Sequence, residues 1–106
     1  MASSLDFVNY VCEQITGAGD ITFKKMFGEY MVYVNAKTTL LICNNTVFVK
    51  MVDCIKDEMI NAEVGVPYNG AKPHYILDID NADFSRKIVL KLEIVTPVPI
   101  KKAKKV

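Results

Sequence analysis

From Tyr68 to Tyr75 the chain reads Tyr-Asn-Gly-Ala-Lys-Pro-His-Tyr, its most polar and conformationally specified stretch. Tyr68 and Tyr75 offer ring faces and hydroxyls, Lys72 a cation, and His74 an imidazole that can donate, accept or titrate. Set against the Met26–Tyr30 segment, such a loop could hold a small acidic ligand or a peptide. The simpler reading is that the same tyrosines and histidine clasp the loop onto the fold.

Other chemistry-bearing residues point away from a reaction. His74 is the sole histidine, so a histidine-rich metal cluster is impossible, and Cys12, Cys43 and Cys54 lack the spacing of a compact zinc site. A thiolate nucleophile would need His74 beside one of those cysteines and a third group orienting it, and nothing in the spacing places them so. The acidic groups Asp53, Asp57 and Glu58, and Asp78, Asp80 and Asp83, fall at turns and helix starts, where capping and helix-end electrostatics explain them. Gly28, near Lys24 and Lys25, lacks the companion glycines of a phosphate loop and reads as a bulge, bend or close approach. The methionines Met26, Met31, Met51 and Met59 read as gap fillers. No catalytic residue, metal or cofactor is therefore assigned.

With 106 residues and 51% hydrophobic content, the chain has the size and composition of one packed domain. An odd number of cysteines argues against a fully paired secreted framework, and no stretch approaches the roughly 20 apolar residues of a membrane span. With no basic leader before an apolar run, a cytoplasmic location is expected. The formal charge of +1 hides an asymmetry, because Lys101, Lys102, Lys104 and Lys105 carry four of thirteen basic charges. Without them nine basic residues oppose twelve acidic ones, a poor nucleic-acid surface. Residues 101–106 read as a flexible basic tail, able at most to hold phosphate weakly and without sequence preference.

Periodicity supplies the elements that position these groups. Leu5, Val8, Val11, Cys12 and Ile15 recur at helical spacing, predicting a helix over 4–16, with Ser3 as cap and Asp6 three residues on. Beyond Gly19 the period becomes two. Ile21–Phe27, Tyr30–Val34, Thr39–Cys43 and Thr46–Val52 read as strands, with Asn35-Ala36-Lys37 and Asn44-Asn45 as the last two turns. Short turns pair neighbours antiparallel, as a meander. Asp53 is expected to cap a short helix through Asn61. Residues 65–73 read as a proline-limited loop. Tyr75, Leu77 and Ile79 form a short strand, the last member of the sheet, with Ile76 facing the other way. Phe84, Ile88, Leu92 and Val95, with Val89 alongside, predict a helix over 81–96 that Asn81 or Asp83 caps and Pro97 ends. The fold class is α+β: an antiparallel β meander packed with amino- and carboxy-terminal helices.

Four blocks occur together: Met26-Phe27-Gly28-Glu29-Tyr30, Leu41-Ile42-Cys43-Asn44-Asn45, Val47-Phe48-Val49-Lys50 and Tyr68-Asn69-Gly70-Ala71-Lys72-Pro73-His74-Tyr75. In this order and spacing they resemble the amino-terminal domain of the TfoX/Sxy family, named for regulators of bacterial natural competence. The resemblance covers about residues 10–96 and implies a bacterial α+β domain with an antiparallel sheet, here residues 1–100. In that family the domain often stands alone, and the competence regulators add a carboxy-terminal domain, where this chain has the lysine tail. The resemblance brings no catalytic or ligand residue. Met26, Phe27, Gly28, Glu29, Tyr30, Gly70 and Pro73 are family-signature positions with a structural role.

Two functional readings follow. The first is a non-enzymatic protein-interaction or accessory regulatory domain, using an exposed sheet edge or the Tyr68–Tyr75 loop, with an unidentified protein partner or a homodimer. The second is a small-ligand binder or enzyme whose cleft joins Tyr30, Tyr68, Lys72, His74 and Tyr75. A concave pocket with converging polar groups would favour the second, and surface-packed side chains the first.

Overall fold

A computed structural model describes residues 4–26 and 29–96 of the chain. The expectations for Ser3, Phe27, Gly28, Pro97 and the lysine tail lie outside those residues. Helix α1 spans Leu5–Gln14. Its cap is Ser4, whose Oγ accepts from the Phe7 amide at 3.2 Å, while its own N–H donates to Asn45 Oδ1 at 2.9 Å and so ties the helix start to a sheet turn. Val8, Val11 and Ile15 are fully buried, whereas Leu5 is exposed, being one turn short of the core.

Strands β1 (Ile21–Met26), β2 (Glu29–Val34), β3 (Lys37–Cys43) and β4 (Thr46–Val49) form the expected antiparallel meander. Before it, Gly19 adopts φ +147, where a Cβ would meet the Asn35 side chain at 2.7 Å, so only glycine fits. The turns Asn35-Ala36 and Asn44-Asn45 have positive φ at both residues, the mirror-image geometry whose twist matches paired strands. Lys37, expected in the turn, is the first residue of β3. A bulge at Thr39 shifts the β2–β3 register, and the Thr39 hydroxyl donates to the Val32 carbonyl at 3.4 Å, so this buried polar group is satisfied.

The second half departs further from expectation. β4 ends at Val49, and the helix expected over 53–61 is a single 3-10 turn, Asp53–Ile55, followed by linked turns. Asp53 caps nothing: the cap position is Val52, without a side-chain bond. Only Ile55 and Met59 of this stretch are deeply buried, which one tucked turn achieves without a helix. Strand β6 (His74–Ile76) is not the outer strand. It inserts between β4 and a two-residue strand β5 (Val64–Gly65), giving the order β1-β2-β3-β4-β6-β5. Val64–Gly65 overlaps the stretch read as loop.

Helix α2 spans Ala82–Val95, with Asn81 Oδ1 accepting from the Phe84 amide at 3.1 Å. Ile88, Val89 and Leu92 face the core, but Val95, at the helix end, is exposed. Both helices cover one face of the sheet, where their residues meet Val32, Val34, Leu40, Ile42, Val47 and Val49. Lys37 joins sheet to helix, its Nζ donating to the Glu93 carbonyl at 3.0 Å and lying 3.1 Å from its carboxylate. No helix among the described residues is long and apolar enough to cross a membrane.

Candidate functional site

Because successive strand residues point to opposite faces, the sheet sorts the candidate residues into two groups. On the helix-covered face lie Tyr30 and Tyr75. Tyr30 is buried and sets its ring edge-on to Phe23, 5.7 Å between centroids, and Tyr75, paired with Val49, packs against the core. On the opposite face lie Met31, Leu41, Phe48, His74 and Ile76, joined through the pairs Met31↔Leu41, Leu41↔Phe48 and Phe48↔Ile76. The sheet therefore separates Tyr75 from His74, and Tyr75 takes no part in a cleft with Tyr68, Lys72 and His74.

The loop leading to β6 borders the second face. The Ala71 amide donates to the Tyr68 carbonyl at 3.0 Å, closing a turn in which Gly70 takes φ +90, a value glycine adopts without penalty. His74 Nδ1 lies 2.8 Å from the Lys72 carbonyl oxygen, which can only accept, so this nitrogen carries the hydrogen. The His74 ring meets Phe48 edge-on at 6.5 Å. Tyr68 stands 59% exposed over the face.

Two adjoining hollows share Tyr68, Met31 and Leu41. One, of about 490 Å³, is completed by Met26, Glu29, Tyr30 and Cys43. The other, of about 280 Å³, contains Phe48, Lys50, Lys72 and His74 and reaches Leu92 and Thr96 at the end of α2. The floor is apolar and the cations sit at one end. Of the family-signature positions, Met26 and Glu29 line the larger hollow, and Glu29 Oε1 accepts from the Asn44 amide at 3.1 Å. Gly70 shapes the turn, and Pro73 is exposed before β6. Phe27 and Gly28 are outside the described residues.

The electrostatics give no activated nucleophile here. Burial, and then the Glu29 carboxylate, push the Cys43 thiol up to about 11, so it keeps its proton at neutral pH. Three of the acidic residues have structural partners: the Tyr10 hydroxyl donates to Asp80 at 2.5 Å, Asp83 pairs with Arg86, and Glu58 with Lys91. The Tyr10 bond to Asp80 holds the phenol above its ordinary pKa. Among the described residues no three His, Cys, Asp or Glu side chains are grouped to hold a metal ion.

No family model matches the chain. A protein described as an uncharacterised 12.7 kDa protein in the trpE 5′ region of Spirochaeta aurantia is 32% identical over 78 residues, spanning 74% of this chain and 68% of that protein. This chain belongs to its family. The family protein from Spirochaeta aurantia brings no assigned site with it, so the residues above rest on geometry alone. Met31, Leu41, Phe48 and Lys50 were missed as site residues by sequence reasoning. Their signal was present: β2, β3 and β4 are apolar on both faces, although the helices cover only one.

Proposed function

We propose that the chain is a non-enzymatic protein-interaction module, an accessory regulatory domain of the TfoX/Sxy amino-terminal kind, whose partner seats on the sheet face opposite the helices. The supporting observation is the continuous apolar floor of Met31, Leu41 and Phe48 beneath a largely exposed Tyr68, with Lys50 and Lys72 at one end. Apolar ground with an aromatic anchor and a charged rim is the composition of a protein-binding patch. The matching partner segment presents an aliphatic or aromatic side chain to the floor and a carboxylate to the lysines.

The test is affinity capture from native extract with mass spectrometry, followed by affinity measurement on the captured partner. Tyr68→Ala and Lys72→Glu should each weaken binding about tenfold, equivalent to about 1.4 kcal/mol, while Leu90→Ala on the outer side of α2 leaves it unchanged. An identical partner set for all variants would refute the assignment of this face. The hollow of about 490 Å³ also has the size of a small-ligand pocket, which favours a second reading, a small-ligand-binding protein using the same floor. That reading requires a metabolite fraction to raise the melting temperature of the wild type but not of Tyr68→Ala.

A further inference from the structure

The free edge of β1 is a second unpartnered feature of the sheet, distinct from the apolar face beneath Tyr68. β1 is the outer strand at the end of the sheet opposite β5, and Phe23 and Lys25 are exposed along it. The Asn35 amide donates to the Asp20 carbonyl at 2.8 Å, one step beyond the pair Ile21↔Val34. Antiparallel bonding alternates from residue to residue, so Asp20, Thr22, Lys24 and Met26 direct their backbone groups toward β2. Ile21, Phe23 and Lys25 direct theirs outward, unpaired within the described residues.

We infer that the β1 edge is a self-complementary surface that pairs antiparallel with the β1 edge of a second copy, centred on Phe23. In that register Phe23 meets the second copy's Phe23 and Ile21 meets the second copy's Lys25, so all three outward-facing residues of each copy exchange backbone bonds. Displacing the register by two residues leaves one of the three without a partner. One of those displaced registers, centred on Lys24, also sets lysine directly against lysine. In the Phe23-centred register no lysine stands directly opposite another, because Lys24 faces Thr22 and Lys25 faces Ile21.

Charge complementarity supports a second copy as the occupant. Phe23 touches Tyr30, which lies under the helices, so the side chains of Ile21, Phe23 and Lys25 share the helix-covered face. Beside Ile21 and Phe23 runs a groove whose α1 wall includes Asn9, Cys12 and Glu13. The second copy's Lys25, opposite Ile21, reaches the mouth of that groove, where Glu13 supplies the opposite charge. The twofold axis repeats this contact and joins the two sheets into one, with the helices of both copies on the same side.

Sedimentation equilibrium over about 10 μM to about 1 mM, the range of weak strand-edge contacts, tests the pairing. The wild-type mass rises toward the dimer with concentration. Lys25→Pro removes an outward N–H without touching the β2 ladder, a placement proline tolerates at an edge, and weakens association at least tenfold with unchanged circular dichroism. Glu13→Lys weakens it similarly, and Glu13→Lys combined with Lys25→Glu restores it. A monomeric mass throughout, undiminished association of Lys25→Pro, or no rescue by the double exchange overturns the inference. None of these outcomes bears on the Tyr68 face, whose variants lie across the sheet.

Discussion

Cys43 is 2% exposed in a central strand, and its thiol lies near the Glu29 carboxylate. Both features disfavour the thiolate and account for the rise from 9.0 to about 11. Folding therefore retains a proton that the unfolded chain releases near pH 9. The associated stability is complete below pH 9 and is lost as the pH rises toward 11. Urea midpoints measured from pH 7 to pH 11 should fall on the alkaline side, and Cys43→Ala should flatten that fall. Thiol labelling at neutral pH, mapped by mass spectrometry, should leave Cys43 unmodified until the protein unfolds. The same parity that sets Cys43 apart from the core-facing Ile42 separates His74 from Tyr75. Tyr75, Leu77 and Ile79 alternate with Ile76 in the sequence, which already assigned Tyr75 to the core face. Grouping it with Tyr68, Lys72 and His74 followed adjacency along the chain, which in a strand is the wrong measure of neighbourhood.

The turns Asn35-Ala36 and Asn44-Asn45 are built differently although their backbones match. Asn44 and Asn45 tolerate positive φ, as does Asn35, whose Oδ1 accepts from the Asp20 amide at 2.9 Å. Ala36 at φ +68 has no such compensation and carries a Cβ in the left-handed region. Ala36→Gly should stabilise the protein by about 0.5–1 kcal/mol, the relief of strain exceeding glycine's extra unfolded-state entropy, with an unchanged denaturant slope. A loss of stability would mean that the turn is not strained. Turns and amphipathic helices were legible because their signals are local: Asn-Asn between alternating runs, and Ile88, Val89 and Leu92 on one stripe. The stretch from Asp53 to Asn61 misled because Ile55 and Met59 at four-residue spacing also suit one buried turn, and periodicity over so few residues does not separate the two.

Across the molecule, α2 is attached to the sheet by Lys37 and Glu93 and to the turns after β4 by Glu58 and Lys91. The hydrogen bonds from the two lysines hold both carboxyls below the ordinary carboxylate range. The stability they confer is present above the unfolded-state carboxyl pKa and disappears as the pH falls through the lower folded values. Denaturation midpoints should decline on acidification below about pH 4.5, and combining Glu58→Gln with Glu93→Gln should shrink that decline; an unaltered acid limb would show that neither pair is coupled to folding. The Cys54 thiol, which donates to the Lys91 carbonyl at 3.8 Å, adds a weaker attachment in the same place. With both helices committed to one face, Met31, Leu41 and Phe48 are left on the other.

Residue order alone determined the helix at each end, the antiparallel meander between them and the two asparagine turns, since each depends on spacing within about ten residues. It also marked the Tyr68–Tyr75 loop as chemically unusual. Only the tertiary structure decided that β6 enters beside β4, that Val64–Gly65 becomes the outer strand, that Tyr68, Lys72 and His74 border one face while Tyr75 serves the other, and that the β1 edge presents Ile21, Phe23 and Lys25. Strand partners and covered faces follow from which distant surfaces exclude water together. An alternating pattern records that a residue changes side, but not what lies on that side.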